Sequence, residues 1–185
     1  MTVRDATREL TDAELLLLGL VAEMPRHGYE LEQEIERRGM REWTQIGFSS
    51  VYFVLGKLEK SGLVRAKKPV GARARKTFSL TAAGRRALVA QTTAALRTYR
   101  ATYSSLLLGM IHWPVLEREA ALNALAARRG EVEAELARLA DVQVERQPLP
   151  DYVEALFDFS IGQLRAESEW IARTLDYMQT KPWLD

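Results

Sequence analysis

Residues 48–81 restrict the possible folds more than any other stretch. Ser49-Ser50-Val51-Tyr52 through Leu58 predicts a short helix with an inner face of Val51, Val54 or Leu55, and Leu58. Ser61-Gly62 stops it: Gly62 can take the left-handed conformation after the cap, and Leu63 can fold back on Leu58. Two segments of period two follow, Val64-Arg65-Ala66-Lys67-Lys68 and Lys76-Thr77-Phe78-Ser79-Leu80, joined by a basic turn from Pro69 to Arg75. From Lys57 to Arg86 there are ten Lys or Arg residues and a single acid, Glu59. A helix beside a cationic hairpin suits a groove with phosphate walls, since one part can enter while the other grips the backbone.

The residues upstream supply the rest of that unit. Thr11-Asp12-Ala13-Glu14 predicts a capping box, with Leu10 able to staple onto Leu15. The helix it opens carries Leu15 to Leu18, Leu20 and Val21, too much apolar surface for anything but a largely buried element. Met24 to Gly28 breaks it. A second helix, Tyr29 to Arg38, presents Leu31 and Ile35 on one face and ends where Gly39 can turn left-handed. Trp43 in the following linker is expected to plug the core. Helix, helix, helix, hairpin is the winged variant of helix-turn-helix, so the fold class is mainly α with a small two-stranded β wing.

The second half is expected to be helical. Thr81 caps a helix predicted to run to about Met110, on a stripe of Leu88, Thr92, Ala95, Tyr99, Thr102, Leu106 and Met110. Another spans about 115–143 with a thinner stripe: Leu116, Ala120, Ala124, Ala127, Val132, Leu136 and Leu139. After Pro148-Leu149-Pro150, a capping box at Asp151-Tyr152-Val153-Glu154 opens a last helix to about Met178. This last helix carries two apolar stripes. One is Val153, Phe157, Ile161, Leu164, Ile171, Leu175 and Met178; the other is Leu156, Phe159, Trp170 and Tyr177. One stripe covers its own domain, and the other needs a partner subunit. The expected dimerisation set is Leu156, Phe157, Phe159, Ile161, Leu164, Trp170, Ile171, Leu175, Tyr177 and Met178. Two domains follow, residues 1–90 and 91–185, joined by continuous helix.

Charge supports this division. The net charge is only +1, but residues 1–90 hold 16 basic against 11 acidic side chains, and residues 91–185 hold 10 against 14. The basic character is therefore local to the first half. Absence of cysteine excludes disulfides, thiolate metal sites and a cysteine nucleophile. The longest strongly apolar run, Leu15 to Ala22, is far shorter than the roughly 20 residues of a membrane helix. A charged N-terminus without an apolar signal core makes the cytoplasm the expected compartment.

Several motifs resemble those of the PadR family of bacterial transcriptional regulators. His27-Gly28-Tyr29-Glu30-Leu31 resembles that family's second-helix opening. Ser50-Val51-Tyr52, Leu55, Leu58-Glu59 and Gly62-Leu63-Val64 resemble its recognition helix and turn. Arg75 to Thr81, with Gly84, resembles the end of its wing. The resemblance implies a winged-helix DNA-binding domain, a helical C-terminal domain that dimerises, and repression relieved by a small molecule. Phe53 departs from a common proline, Gly56 from a common basic residue and Phe78 from a common tyrosine. A glycine at 56 also weakens a helix by about 1 kcal/mol relative to alanine, so close backbone approach is a candidate purpose.

The candidate DNA-binding residues are Ser49, Ser50, Tyr52, Lys57, Lys60, Lys67, Lys68, Arg73, Arg75 and Lys76. Ser49, Ser50 and Tyr52 lie at the end of the helix that a helix-turn-helix protein points at bases and phosphates, although either serine can instead serve as a cap. Trp113, Phe159, Trp170 and Tyr177 could line a pocket for a small aromatic effector, or be core and dimer seam. His27 is expected to be structural and His112 to sit at a helix end. Two separated histidines make no metal set, and no catalytic constellation has independent support. The expected function is a sequence-specific transcriptional regulator, acting as a homodimeric repressor on a palindromic duplex, with no cofactor and no enzymatic activity. The competing expectation is a winged-helix module that binds another protein.

Overall fold

A computed structural model describes residues 9–44, 46–47, 50–67 and 75–182. It divides into two compact units, Met1–Ala101 and Thr102–Asp185.

In the first unit, α1 (Asp12–Glu23) begins at the expected capping box. Thr11 Oγ1 accepts from the Glu14 amide at 3.3 Å, and the Glu14 carboxylate accepts from the Thr11 amide at 2.9 Å. Then come β1 (Arg26–His27), α2 (Gly28–Arg37), a 3-10 turn at Met40–Glu42, α3 (Ser50–Lys60), β2 (Val64–Lys67), β3 (Thr77–Leu80) and α4 (Ala82–Arg97). The core joins Leu17, Leu18, Leu20 and Val21 of α1 to Leu31 and Ile35 of α2 and to Val51, Val54, Leu55 and Leu58 of α3. Val54 and Leu55 are both buried, so the inner face of α3 is wide. Burying each such side chain contributes roughly 1.5–3 kcal/mol, which fixes α3 against α1. Trp43 is half-buried and is not the core plug; Ile46 takes the buried linker position.

The helix stop forms as expected. Gly62 has φ 72°, and the Leu63 amide donates back to the Leu58 carbonyl at 3.0 Å. The sheet is larger than the two-stranded wing that was expected. Its order is β1-β3-β2, all antiparallel, with Arg26 opposite Phe78 and Lys67 opposite Thr77. A two-residue strand is too short to show alternation, and β1 lies inside the stretch read as a break. Arg26 is buried in it, and its Nη1 donates to the Leu20 carbonyl at 2.8 Å.

An ion cluster braces α1, β1 and α2. The Arg38 guanidinium grips both oxygens of Glu23 at 2.6 and 2.7 Å and donates from Nε to Glu34 at 2.6 Å. Hydrogen bonding from Arg37, then from Arg38, lowers the Glu34 carboxyl from 4.5 to about 2. A depressed folded value means the contribution is complete above the unfolded value and vanishes as pH falls through the folded one. Glu34→Gln should therefore lower the urea midpoint at pH 7. The gap to the native chain should narrow between pH 4.5 and 2; a gap of constant size would contradict this.

Two expected helical features do not form. α4 stops at Arg97, and Ser104 caps a separate α5 (Ser105–Ile111), its Oγ accepting from the Leu106 amide at 3.2 Å. The continuous helix to Met110 is thus interrupted, with Leu96, Tyr99 and Tyr103 at 87, 90 and 91% exposure. Thr98, Tyr99, Thr102 and Tyr103 are weak helix formers. Between Leu88 and Leu106 the stripe is exposed and cannot offset that weakness, because helices in proteins draw most of their stability from packing. The second missing feature is the Asp151 capping box. Pro150 occupies the cap position, and Glu154 accepts instead from Gln143 Nε2 at 2.6 Å and from Gln147 Nε2.

The second unit contains α5, a 3-10 turn at Trp113–Val115, α6 (Arg118–Glu145) and α7 (Asp151–Thr180). The α6–α7 seam buries Ala121, Leu125, Val132 and Leu139 with Phe157, Ile161 and Ile171. The inner face of α6 is rotated from the expected one, leaving Ala120, Ala124 and Ala127 exposed. Alanines carry too little area to set a face, so Leu125, Val132 and Leu139 at seven-residue steps decide it. Arg128 pairs with Glu167 at 2.7 Å across the seam. Arg118 Nη2 donates to the terminal carbonyls of Met178 and Gln179 at 3.0 and 2.8 Å, completing the end of α7. Among the described residues, no helix is long and apolar enough to cross a membrane.

Candidate nucleic-acid interface

The pattern of α3 creates two faces. With Val51, Val54, Leu55 and Leu58 turned inward, Tyr52, Phe53, Lys57 and Lys60 are left exposed and Ser50 and Gly56 half-buried. Ser50 opens the helix, its amide donating to the Gly47 carbonyl at 3.0 Å. Tyr52 is 57% exposed, and its ring lies across the start of α2. A Cβ on Gly28 would stand 2.5 Å from the Tyr52 Cε1 atom, so the absent side chain makes room for that ring. His27 is structural, as expected. Its Nδ1 accepts from the Glu30 amide at 3.1 Å, and Glu30 Oε2 accepts from the His27 amide at 2.8 Å. His112 sits at the end of α5.

The wing begins beside this helix. On β2, Val64 and Ala66 turn inward while Arg65 and Lys67 face solvent. Where the chain re-enters the sheet, Arg75 lies over the Tyr29 ring at 4.9 Å. Lys76 Nζ pairs with Glu59 Oε2 at 2.6 Å and lies 5.3 Å from the Phe78 ring centre. His27, Gly28, Tyr52, Arg75, Lys76 and Phe78 enclose an open cleft of about 250 Å³. A phenolic hydroxyl and two cations at its rim give it the chemistry of a phosphate seat.

The structure thus brings Ser50, Tyr52, Lys57, Lys60, Lys67, Arg75 and Lys76 to the α3 and wing region. Ser49, Lys68 and Arg73 lie outside the described residues. Sequence reasoning missed Tyr29 as a platform for Arg75, the exposed Arg65 and the Glu59–Lys76 bridge that ties wing to helix. The last was legible only as the one acid in a basic stretch. Glu59→Gln removes that acid and releases Lys76 to a phosphate. Affinity for random-sequence duplex should rise, and the log–log salt slope should steepen by about one unit per bound copy. Titration at several salt concentrations measures both.

The other candidate sets are dispersed. Trp113 lines an apolar pocket of about 140 Å³ with Leu106, Met110, Leu116 and Leu125, and with Arg128 at its edge. Phe159, Trp170 and Tyr177 are not among its lining residues. Of the dimerisation candidates, Phe157, Ile161 and Ile171 are sealed in the seam, whereas Leu156, Phe159 and Tyr177 are 42, 66 and 59% exposed. Leu164, Trp170, Leu175 and Met178 are half-buried. Among the described residues no group of three His, Cys, Asp or Glu side chains could hold a metal ion.

Residues 17–90 match the profile described as the transcriptional regulator PadR-like family. A comparison with curated proteins found no match. Among solved structures, Bacillus subtilis PadR in complex with p-coumaric acid superposes with a TM-score of 0.71 at 18% identity, over 90% of this chain and 98% of that one. The same protein in complex with operator DNA gives 0.70 at 17% identity, over 89 and 98%. The PadR-like regulator BC1756 from Bacillus cereus gives 0.66 at 18%, over 92 and 100%. At these identities the likeness establishes the fold.

Proposed function

We propose that this chain, a member of the PadR-like family of transcriptional regulators through residues 17–90, binds duplex DNA in a sequence-dependent way as a homodimeric repressor. The observation that carries the reading is the common surface formed by the exposed face of α3 and the base of the wing. There Tyr52, Lys57, Lys60, Lys67 and Arg75 are all exposed. α3 would enter a major groove while the wing cations hold the flanking phosphates.

Dimerisation would use the exposed apolar residues of the second unit. Leu156, Phe159 and Tyr177 of α7 are joined by Leu107, Leu108 and Ile111 of α5, all exposed. Two copies would set two α3 helices about 34 Å apart on a palindrome. The Trp113 pocket is the place where a small aromatic effector would act, by binding DNA-competent and incompetent forms unequally. Such a regulator works in the cytoplasm, where a bacterial chromosome lies.

The test is footprinting of the purified protein on its own upstream region, with and without phenolic acids, alongside sedimentation. A protected palindrome, a dimer, and loss of protection with one of the compounds are expected. A monomer, or binding indifferent to salt, would reject the reading in favour of a protein-interaction module.

A further inference from the structure

The outward face of α3 has two features that none of the described residues explains. Phe53 is 64% exposed and stands outside the core cluster, on a face whose other long side chains include Lys57 and Lys60. Lys57 Nζ lies 4.6 Å from its ring centre, so one side of the ring is held by a cation and the rest faces solvent. Gly56, one turn further along that face, has no positive φ. A Cβ built on it would meet nothing within 4 Å. Neither backbone conformation nor internal packing therefore calls for glycine, which weakens the helix relative to alanine. With no described residue near that position, a close approach from outside the chain accounts for it.

We propose that Phe53 and Gly56 form the base-reading surface of α3, with the Phe53 ring seated on a thymine methyl and Gly56 leaving the helix backbone bare against the base edges. The inference rests on the DNA-binding function proposed above. A phenyl ring neither donates nor accepts a conventional hydrogen bond, so it cannot read the polar pattern of the major groove. The thymine C5-methyl is the one apolar group displayed there. The groove is about 12 Å wide and a helix with side chains about 10–12 Å across. Removing a side chain at one step lets the helix sit deeper at that step. Lys57, steadied by the ring, then points at a neighbouring guanine or phosphate.

The experiment starts from duplexes selected out of a random-sequence pool by the full-length protein. In the tightest duplex each thymine is replaced in turn by deoxyuridine, which removes only the methyl. Native protein should lose about fourfold in affinity at one or two positions per half-site, as expected for one methylene-sized group returned to water. Phe53→Ala should bind that duplex more weakly and respond equally to thymine and deoxyuridine there. Gly56→Ala should raise the melting temperature yet weaken binding to the selected duplex. Deoxyuridine without effect at every position, or with the same effect in Phe53→Ala, overturns the inference, as does a Gly56→Ala protein that binds like the native one. A pool that yields no enriched duplex overturns the DNA-reading function and this inference together. Enrichment with indifference to the methyl overturns the inference alone.

Discussion

Alanine at Lys57, Lys67 and Arg75 together should reduce affinity for duplex DNA by roughly three-thousandfold per bound copy at 50 mM salt and by less than about a hundredfold at 200 mM. The size follows from counterion release. A cation that neutralises one phosphate contributes about 0.9 to the log–log salt slope, or about fifteenfold at 50 mM relative to 1 M salt. Three such contacts multiply, and the native and variant curves converge as salt rises. All three side chains are exposed, Lys57 on α3, Lys67 at the end of β2 and Arg75 just before β3. Their removal leaves the core of Leu17, Leu31, Leu55 and Leu58 untouched. Folding should lose at most the stacking of Lys57 on Phe53 and Arg75 on Tyr29, about 0.5–1 kcal/mol each at exposed sites. Fluorescence anisotropy of a labelled duplex across a salt series reads the slope directly. A slope shallower than native by about three units per bound copy is expected. An unchanged slope with lower affinity would mean that these cations shape the protein without touching phosphate.

Much of this surface could be read before any coordinates, and the reason lies in which signals are local. The capping box at Thr11–Glu14, the left-handed stop at Gly62 and the alternation of β2 and β3 each depend on residues within five positions of one another, and each forms. Several of the failures turn on packing or pairing that a local pattern does not carry. β1 is two residues long and exists only because β3 offers an edge. The Asp151 box had the right letters, but Gln143 and Gln147 reached Glu154 first. The helix expected to run to Met110 has a stripe that is exposed between Leu88 and Leu106, and it breaks after Arg97. At the interface, sequence density located the cations, but pairing decided their state. Lys76 is held by Glu59, seventeen residues away, and Arg75 rests on Tyr29. Phe53, seen in the sequence only as a departure from a common proline, becomes informative once its exposure is known.

The largest loss of stability from a single methyl should come at Gly84. Thr81 opens α4, its Oγ1 accepting from the Gly84 amide at 2.9 Å while its own hydroxyl donates to the Gly62 carbonyl at 2.7 Å and its amide to the Leu63 carbonyl at 3.1 Å. The exit of α3 and the entry of α4 are thereby clamped against each other. A Cβ on Gly84 would lie 2.0 Å from the Leu63 carbonyl oxygen and 2.9 Å from Leu80 Cδ1. The first of these atoms is backbone and cannot swing aside as a flexible side-chain tip can. Relief requires moving the start of α4 away from Leu63, which breaks the Thr81 cap, worth about 0.5–2 kcal/mol, and opens the packing of Ala87 and Leu88 on the core. Gly84→Ala should therefore destabilise the winged-helix unit by about 2–4 kcal/mol, despite the roughly 1 kcal/mol that alanine adds to a helix interior. Gly19→Ala supplies the opposite sign. That position is inside α1, and an added Cβ meets nothing within 4 Å, so the propensity gain stands unopposed. Urea unfolding of the two variants should shift the midpoint in opposite directions. A Gly84→Ala protein as stable as the native chain would mean that the two junctions are not clamped.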